Sequence, residues 1–214
     1  MLKQIFGLPI YIKNIDPNSY DRKKIIKDIE FNYKKDKHRN KWGEDFEKSD
    51  LHHIYKDQNN LDFKKINYDK LIPIYNKVFE KFFSSLNLNK SFKFKFEIVN
   101  YTCMTSSQFM KDHYHPDTDF TAVHYIKFNK TIHKPTIFEN SNTFSSYSTA
   151  LQPNLGNVLN GKNIDNSWLF KNYWADINEN DICITPGLLF HSVPSQPKTD
   201  DTRITIASNI KIQV

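Results

Sequence analysis

Cysteines and long apolar runs are scarce in this chain of 214 residues. Its two cysteines, Cys103 and Cys183, lie far apart and form no C-x-x-C motif, which predicts buried free thiols in a reducing environment. No apolar run approaches the roughly 18 residues that a membrane-spanning helix requires. The first residues also lack the long apolar segment and the small-residue cleavage site of a signal peptide. We therefore expect a cytoplasmic protein with no membrane partner.

Arginine is scarce as well, because only Arg22, Arg39 and Arg203 occur among the 30 lysines and arginines. The net charge of +6 comes mainly from lysines, which are spread over the N-terminal half rather than gathered in one block. Frequent asparagine and isoleucine accompany them, a mixture that an AT-rich genome would also produce. Nucleic-acid binding typically needs cations clustered on one face, so we do not expect a nucleic-acid partner.

Aromatic residues are abundant, at 14% with 17 phenylalanines and 11 tyrosines, and supply enough apolar area for a substantial core. Apolar residues at helical spacing predict helices over residues 19–34 and 70–86. We interpret residues 35–66 as a loop with a short helix that exposes His52 and His53, and the Asn- and Ser-rich stretch 140–170 as a long loop that helps to shape the substrate side. Alternating patterns predict strands over residues 4–13, 92–103, 120–129, 135–139, 171–177, 181–186, 188–194 and 203–213.

The order of these elements places helices first and an antiparallel β half afterwards. That order is typical of an α+β fold in which helices buttress a sandwich or barrel. No internal repeat and no linker divides the chain. The sequence therefore predicts one domain over residues 1–214, with residues 1–90 as helical support and residues 91–214 as the β core.

A candidate metal site is formed by two short motifs. Residues two apart on a strand point the same way, so the single spacer in His115-Pro116-Asp117 allows the imidazole and the carboxylate to reach one ion. His191 follows an apolar strand and a Pro-Gly turn, from which it can supply a third ligand. Two histidines and one carboxylate suit Fe(II) with open coordination positions, so His115, Asp117 and His191 are the predicted ligands.

Other residues near this motif compete for the same role. His113-Tyr114-His115 is itself an H-x-H pair, and Asp119 lies two residues beyond Asp117, so His113 and Asp119 remain alternatives. His124 lies in the middle of a predicted strand and, by parity, faces away from the site. His133 precedes a proline in a turn and is expected to be exposed to solvent.

The last strand predicts an anion site. Arg203 and Thr205 alternate with isoleucines, so the isoleucines face the core and Arg203 and Thr205 face the concave side. A buried guanidinium is costly unless it meets an anion. Its planar fork matches a carboxylate, and the Thr205 hydroxyl can add one hydrogen bond.

These motifs together resemble the Fe(II)/2-oxoglutarate-dependent oxygenases, in their prolyl-hydroxylase-like branch. H-x-D, a distant histidine, and an arginine about a dozen residues later with a threonine two beyond occur in the family's order. The segments 123–128, 135–140 and 186–194 resemble the family's strands after H-x-D and the segment that carries its distal histidine. Residues 5–11 resemble the start of an oxygenase group of marine bacteria and their phages.

The resemblance implies a double-stranded β-helix, or jelly roll, with iron held by His115, Asp117 and His191. It implies that 2-oxoglutarate binds iron through its keto-acid end and places its far carboxylate on Arg203, with help from Thr205. Tyr101 is the candidate for the family's tyrosine upstream of H-x-D. O2 would then convert 2-oxoglutarate to succinate and CO2 while a substrate C–H bond is hydroxylated. A ligand at position 117 favours hydroxylation over halogenation.

We expect the substrate to be a peptide or small molecule, with a prolyl or other peptidyl residue as the first choice on resemblance alone. Two other classes stay open. One is a non-catalytic jelly-roll domain for binding or for a virion, in which the histidines are incidental. The other is a zinc hydrolase with the same three ligands, although hydrolysis would not need Arg203 and Thr205 where they are.

Overall fold

The computed structural model describes residues 8–39, 49–56, 62–86, 92–140 and 172–213. Two helices and ten strands lie in these ranges, and all strand pairs are antiparallel. In chain order they are β1 Tyr11–Asn14, α1 Arg22–Lys35, β2 His52–Tyr55, α2 Leu71–Ser85, β3 Lys93–Met104, β4 Met110–His113, β5 Phe120–Lys127, β6 Ile137–Glu139, β7 Asn172–Trp174, β8 Asp181–Pro186, β9 His191–Val193 and β10 Arg203–Gln213.

The strands form two sheets. A six-stranded sheet has the order β1-β8-β5-β10-β3-β2, and a four-stranded sheet has the order β4-β9-β6-β7. Strands distant in sequence lie side by side, so both sheets are built from crossing connections rather than from simple hairpins. The architecture is the predicted jelly-roll core with N-terminal helices, an α+β fold.

Both helices pack on one face of the six-stranded sheet. The apolar face of α2 contacts the sheet through aromatic rings, and Phe79 meets Phe96 at 4.9 Å while Phe82 meets Phe120 at 5.0 Å between centroids. Strand β10 adds buried isoleucines to this helix-facing core. Its alternate residues, beginning with Arg203, therefore point to the opposite face, towards the four-stranded sheet.

The predicted helices are confirmed with ends shifted by no more than three residues, and most strands are found where the alternation placed them. Residues 35–66 were wrongly interpreted in one respect, because β2 lies there and both His52 and His53 are buried. His133 is also buried rather than exposed, since its Nε2 donates to the Asp201 carbonyl at 3.2 Å and its Nδ1 accepts from the Asn129 amide at 3.0 Å.

Cys103 and Cys183 are free and buried, as predicted. No helix in the described ranges is long and apolar enough to cross a membrane. The stretch predicted as a long loop lies, except for its first residue, outside the described residues, as do residues 4–7 of the first predicted strand.

Candidate metal centre and buried arginine

Three histidines converge at one end of the β4–β9 strand pair, at the β4 edge of the four-stranded sheet. His113 ends β4 and His191 begins β9, and the two are direct cross-strand partners. His115 follows two residues after β4. Each ring offers one nitrogen, and these three atoms all lie within 4.8 Å of one another. The His115 and His191 rings are nearly parallel, at 5° and 5.3 Å between centroids. This is the geometry of ligands arranged around one small ion.

Hydrogen bonds fix the tautomers of two of these rings. Nδ1 of His113 lies 2.9 Å from the Lys111 carbonyl, and Nδ1 of His191 lies 2.8 Å from the Leu189 carbonyl. A carbonyl oxygen can only accept, so each Nδ1 carries the proton and the lone pair of each neutral ring lies on Nε2. Carbonyl-oriented imidazoles of this kind are typical of metal ligands.

Burial keeps all three rings neutral at physiological pH. It lowers the pKa of His113 to about 2, helped by the charge of His191, and lowers the pKa of His115 to about 4 for the same two reasons. The pKa of His191 is also lowered by burial. Because a metal binds only deprotonated imidazole, the cluster would meet an ion without first releasing protons.

Gly187 holds His115 in place. Its carbonyl accepts from the His115 amide at 2.8 Å, and its amide donates to the Asp119 carbonyl at 2.9 Å. A methyl group at Gly187 would lie 2.3 Å from the Thr118 carbonyl oxygen and 3.0 Å from that of His115. The close approach of these two chain segments therefore requires glycine.

The structure brings His115 and His191 together and adds His113, which the sequence had left as an alternative. Asp117 is exposed in the turn that follows and is not part of the three-histidine group. The Asp119 carboxylate accepts from the Ile212 amide at 2.7 Å. His124 faces the helices, where its Nδ1 lies 2.8 Å from the Tyr75 hydroxyl.

Arg203 is fully buried on the inner face of β10, with 1% of its surface exposed. Its Nε donates to the Lys134 carbonyl at 3.2 Å and its Nη2 to the Thr136 hydroxyl at 3.4 Å. The guanidinium lies 5.0 Å above the Tyr125 ring. Nη1 has no hydrogen-bond partner among the described residues. A buried cation with an unused donor fits an anionic ligand such as a carboxylate.

Thr205 lies on the same face as Arg203, and its hydroxyl lies 2.6 Å from that of Thr102 on β3. Tyr101 points the other way. Its hydroxyl accepts from Nδ2 of Asn32 at 2.9 Å and lies 3.2 Å from Nε2 of His52, on the helix side of the sheet. The structure thus groups Thr205 with Arg203 and places the Tyr101 hydroxyl on the opposite face.

His53 is a residue of this face that the sequence did not suggest. It pairs directly with Thr102 across β2 and β3, and its side chain is fully buried. The sequence feature that could have predicted its burial is the run His52–Tyr55, whose residues favour a strand. In a strand, successive side chains point to opposite faces of the sheet.

A jelly roll that gathers three neutral histidines and a buried arginine defines a class: proteins with a candidate mononuclear metal centre beside an anion site. A family model described as "Putative 2OG-Fe(II) oxygenase" matches residues 100–209, just over half of the chain. The match includes all three histidines and Arg203. The chain belongs to this 2OG-Fe(II) oxygenase family.

Solved structures share the fold at low sequence identity. A Pseudomonas putida prolyl-4-hydroxylase is 9% identical, with 94% of this chain and 92% of that one covered and a TM-score of 0.54. A prolyl hydroxylase from Trichoplax adhaerens, in complex with a hypoxia inducible factor peptide fragment, is 9% identical, with coverage of 94% and 83% and a TM-score of 0.53. A comparison with curated proteins finds no match.

Proposed function

We propose that this protein is an Fe(II)- and 2-oxoglutarate-dependent dioxygenase that hydroxylates a C–H bond of its substrate. The observation that carries the proposal is the joint presence of three convergent neutral histidines and a buried Arg203 with an unused donor. Family membership supports the same chemistry. When bound, Fe(II) and 2-oxoglutarate supply the oxidation by O2, with succinate and CO2 as co-products.

His113, His115 and His191 would hold the iron. The Nδ1 atoms of His113 and His191 bond to carbonyls, so in the neutral rings Nε2 carries the lone pair that a metal would use. Asp117, the carboxylate that the sequence favoured, stays an alternative ligand that would have to reach the ion from an exposed turn. Imidazole nitrogen is a suitable donor for Fe(II).

Arg203 would bind the far carboxylate of 2-oxoglutarate. Nη1 would donate to it, and Thr205 on the same face would add a hydroxyl hydrogen bond. The Tyr125 ring, which is fully buried, lies beneath the guanidinium and keeps water from this end of the site. In such a dry setting a charge-assisted hydrogen bond is strong, so the arginine would orient the co-substrate as well as attract it.

A peptide substrate, with a prolyl residue favoured, is supported by the two prolyl hydroxylases of similar fold, one of which holds a peptide. The protein would act in the cytoplasm, since its two cysteines are free thiols rather than a disulfide. Its partners would then be 2-oxoglutarate, O2 and the peptide, and no part of the proposal requires nucleic acid or a membrane.

The test begins with protein purified without oxygen. We expect it to bind one Fe(II) and, when O2 is admitted, to convert 2-oxoglutarate slowly to succinate even without a substrate. Proline-containing peptides should raise this rate and gain the mass of one oxygen atom. The proposal fails if succinate does not exceed that of an iron-free control, an outcome that would favour a non-catalytic binding domain.

A further inference from the structure

Arg203 is held by the chain segment that comes directly before β6. Its Nε donates to the Lys134 carbonyl at 3.2 Å and its Nη2 donates to the Thr136 hydroxyl at 3.4 Å. These two bonds occupy one edge of the planar guanidinium, whereas Nη1 has no hydrogen-bond partner among the described residues. The placement of residues 134–136 therefore determines the direction in which Arg203 presents its unused donor.

The side chain of Gln196 holds this segment at Lys134. Its Oε1 accepts from the Lys134 amide at 3.0 Å, and its Nε2 donates to the Pro194 carbonyl at 2.9 Å and to the Lys134 carbonyl at 3.4 Å. One side-chain amide thus binds both backbone groups of Lys134. The reverse orientation would turn its oxygen towards two carbonyl oxygens, which can only accept, so the hydrogen bonds fix the orientation of the amide.

Gln196 is itself held firmly in the fold. The residue is 3% exposed, its backbone amide donates to the Gln108 carbonyl at 2.9 Å, and its carbonyl accepts from the Ser107 amide at 3.0 Å. Burial of a side-chain amide is costly unless its hydrogen bonds are made. An apolar side chain of similar length would fill the same space, so the bonds to Lys134 and Pro194 are what glutamine adds at this position.

A second contact keeps the segment in place if the Gln196 bonds are lost. Nε2 of His133 donates to the Asp201 carbonyl at 3.2 Å, which attaches the segment to the residues before β10. Loss of the Gln196 amide should therefore shift the Lys134 carbonyl rather than release the whole segment.

We propose that Gln196 is a positioning residue that acts through Arg203. By binding both backbone groups of Lys134, it keeps the Lys134 carbonyl on Nε of the guanidinium and so directs Nη1 towards the carboxylate that Arg203 binds. The inference rests on the proposed function and extends it to a residue outside the site. Gln196 would contact neither 2-oxoglutarate nor the metal.

Two probes separate binding through Arg203 from binding to the metal. 2-Oxoglutarate carries a chelating end and a far carboxylate, whereas oxalate chelates a metal but lacks the far carboxylate. Calorimetry measures the binding of each probe to the Co(II)-loaded full chain, and the visible Co(II) spectrum reports the metal itself. The variants are Gln196→Met, Arg203→Met and the double variant. Gln108→Met is the matched control, because Gln108 is also 3% exposed but its side chain binds the Tyr33 hydroxyl and the Lys37 carbonyl.

We expect Gln196→Met to weaken 2-oxoglutarate binding about three- to tenfold, the range that corresponds to one hydrogen bond, and to leave oxalate and Co(II) binding unchanged. In the Arg203→Met protein the same change should alter 2-oxoglutarate binding by less than about twofold, because residues that act through one another are not additive. Gln108→Met should change the binding of neither probe. Gln196→Glu should also weaken 2-oxoglutarate alone, since it keeps the acceptor for the Lys134 amide but places a carboxylate against two carbonyl oxygens.

Four results would overturn the inference: unchanged 2-oxoglutarate binding in Gln196→Met, an equal loss of both probes, the same loss in the Arg203→Met protein, or an equal loss in Gln108→Met. If Gln196→Met shows no cooperative thermal unfolding, Gln196→Glu is judged by the same criteria. All of these results leave the proposed function standing. Wild-type protein that binds neither Co(II) nor 2-oxoglutarate would overturn both.

Discussion

His113 and His191 face each other across β4 and β9, with 4.2 Å between their ring centroids. In both rings Nδ1 bonds to a backbone carbonyl, so the lone pair lies on Nε2 and is suited to a metal. The pair therefore anchors the candidate metal centre, and His115 completes it.

The first prediction concerns which residues bind the metal. His113→Ala should lower Fe(II) affinity by more than the roughly 10–100-fold that loss of an outer-shell partner costs, because it removes one of three converging nitrogens. Asp117→Ala should bind Fe(II) as the wild type does, since Asp117 is exposed and outside the group. Anaerobic Fe(II) titration measures both. The opposite ranking would restore the histidine–aspartate–histidine site that the sequence favoured.

The second prediction concerns Arg203. Arg203→Met should weaken 2-oxoglutarate binding about tenfold or more, because a buried charged donor is lost, while Fe(II) affinity changes little. Without ligand the variant should be as stable as the wild type or more so, since replacement of a buried, incompletely paired charge by an apolar side chain is often neutral or stabilising. Calorimetric titration and thermal unfolding measure the two effects. An equal loss of iron and co-substrate would mean that Arg203 shapes the fold rather than the anion site.

The third prediction concerns Gly187. Gly187→Ala should destabilise the fold by about 1–3 kcal/mol, the usual cost of overpacking, because the added carbon meets the backbone of Thr118 and His115. Metal affinity should fall as well, since His115 is displaced. Leu188→Ala is the control: its side chain is 63% exposed, so its effect should stay within about 0.5 kcal/mol. Denaturant unfolding measures the change in stability, and Fe(II) titration measures the change in metal affinity. Normal metal affinity in Gly187→Ala would show that the contact between Gly187 and His115 does not position His115.

The fourth prediction concerns stability in acid. Burial, and secondarily the charge of Arg22, lower the pKa of His124 to about 3 in the folded protein, whereas an unfolded histidine titrates near 6.5. The unfolded chain therefore gains a proton first as the pH falls. Stability from this residue is complete above pH 6.5 and is lost towards pH 3, by up to about 1.4 kcal/mol per pH unit.

His124→Gln tests this linkage, because glutamine cannot titrate and can still hydrogen-bond the Tyr75 hydroxyl. The variant should lose less stability than the wild type between about pH 6.5 and pH 4, whatever its stability at neutral pH. Urea unfolding at several pH values gives the two slopes. Parallel slopes would show that His124 does not contribute to acid sensitivity.

Much of the fold was predictable because its patterns are local. The apolar face of α2 and the alternation of β10 can both be recognised within one short stretch of sequence. The alternation in β10 correctly predicted that Arg203 lies on the face opposite the isoleucines. The sequence also predicted that His115 and His191 converge, from a short motif and from a turn that precedes a strand, and the structure brings the two side chains together.

The sequence alone could not decide between Asp117 and His113 as the third candidate ligand. The parity rule that puts His115 and Asp117 on one side holds only while the chain stays extended, and here Pro116 and Asp117 form a turn. The same rule applied one step earlier links His113 with His115. His53 was missed for another reason: β2 is only four residues long, and its burial depends on pairing with β3 about fifty residues away.

Strand β10 carries Arg203 and Ile204 as consecutive residues, one for the cavity and one for the helical core. If β10 paired with β3 one residue out of register, an isoleucine would lie at the candidate anion site. The Arg203 guanidinium would then face the aromatic core beneath the helices. A chain with this register error would bury a charge in its core and would also lose the candidate anion site. The register of one strand therefore determines both whether the molecule folds and whether it can bind a carboxylate.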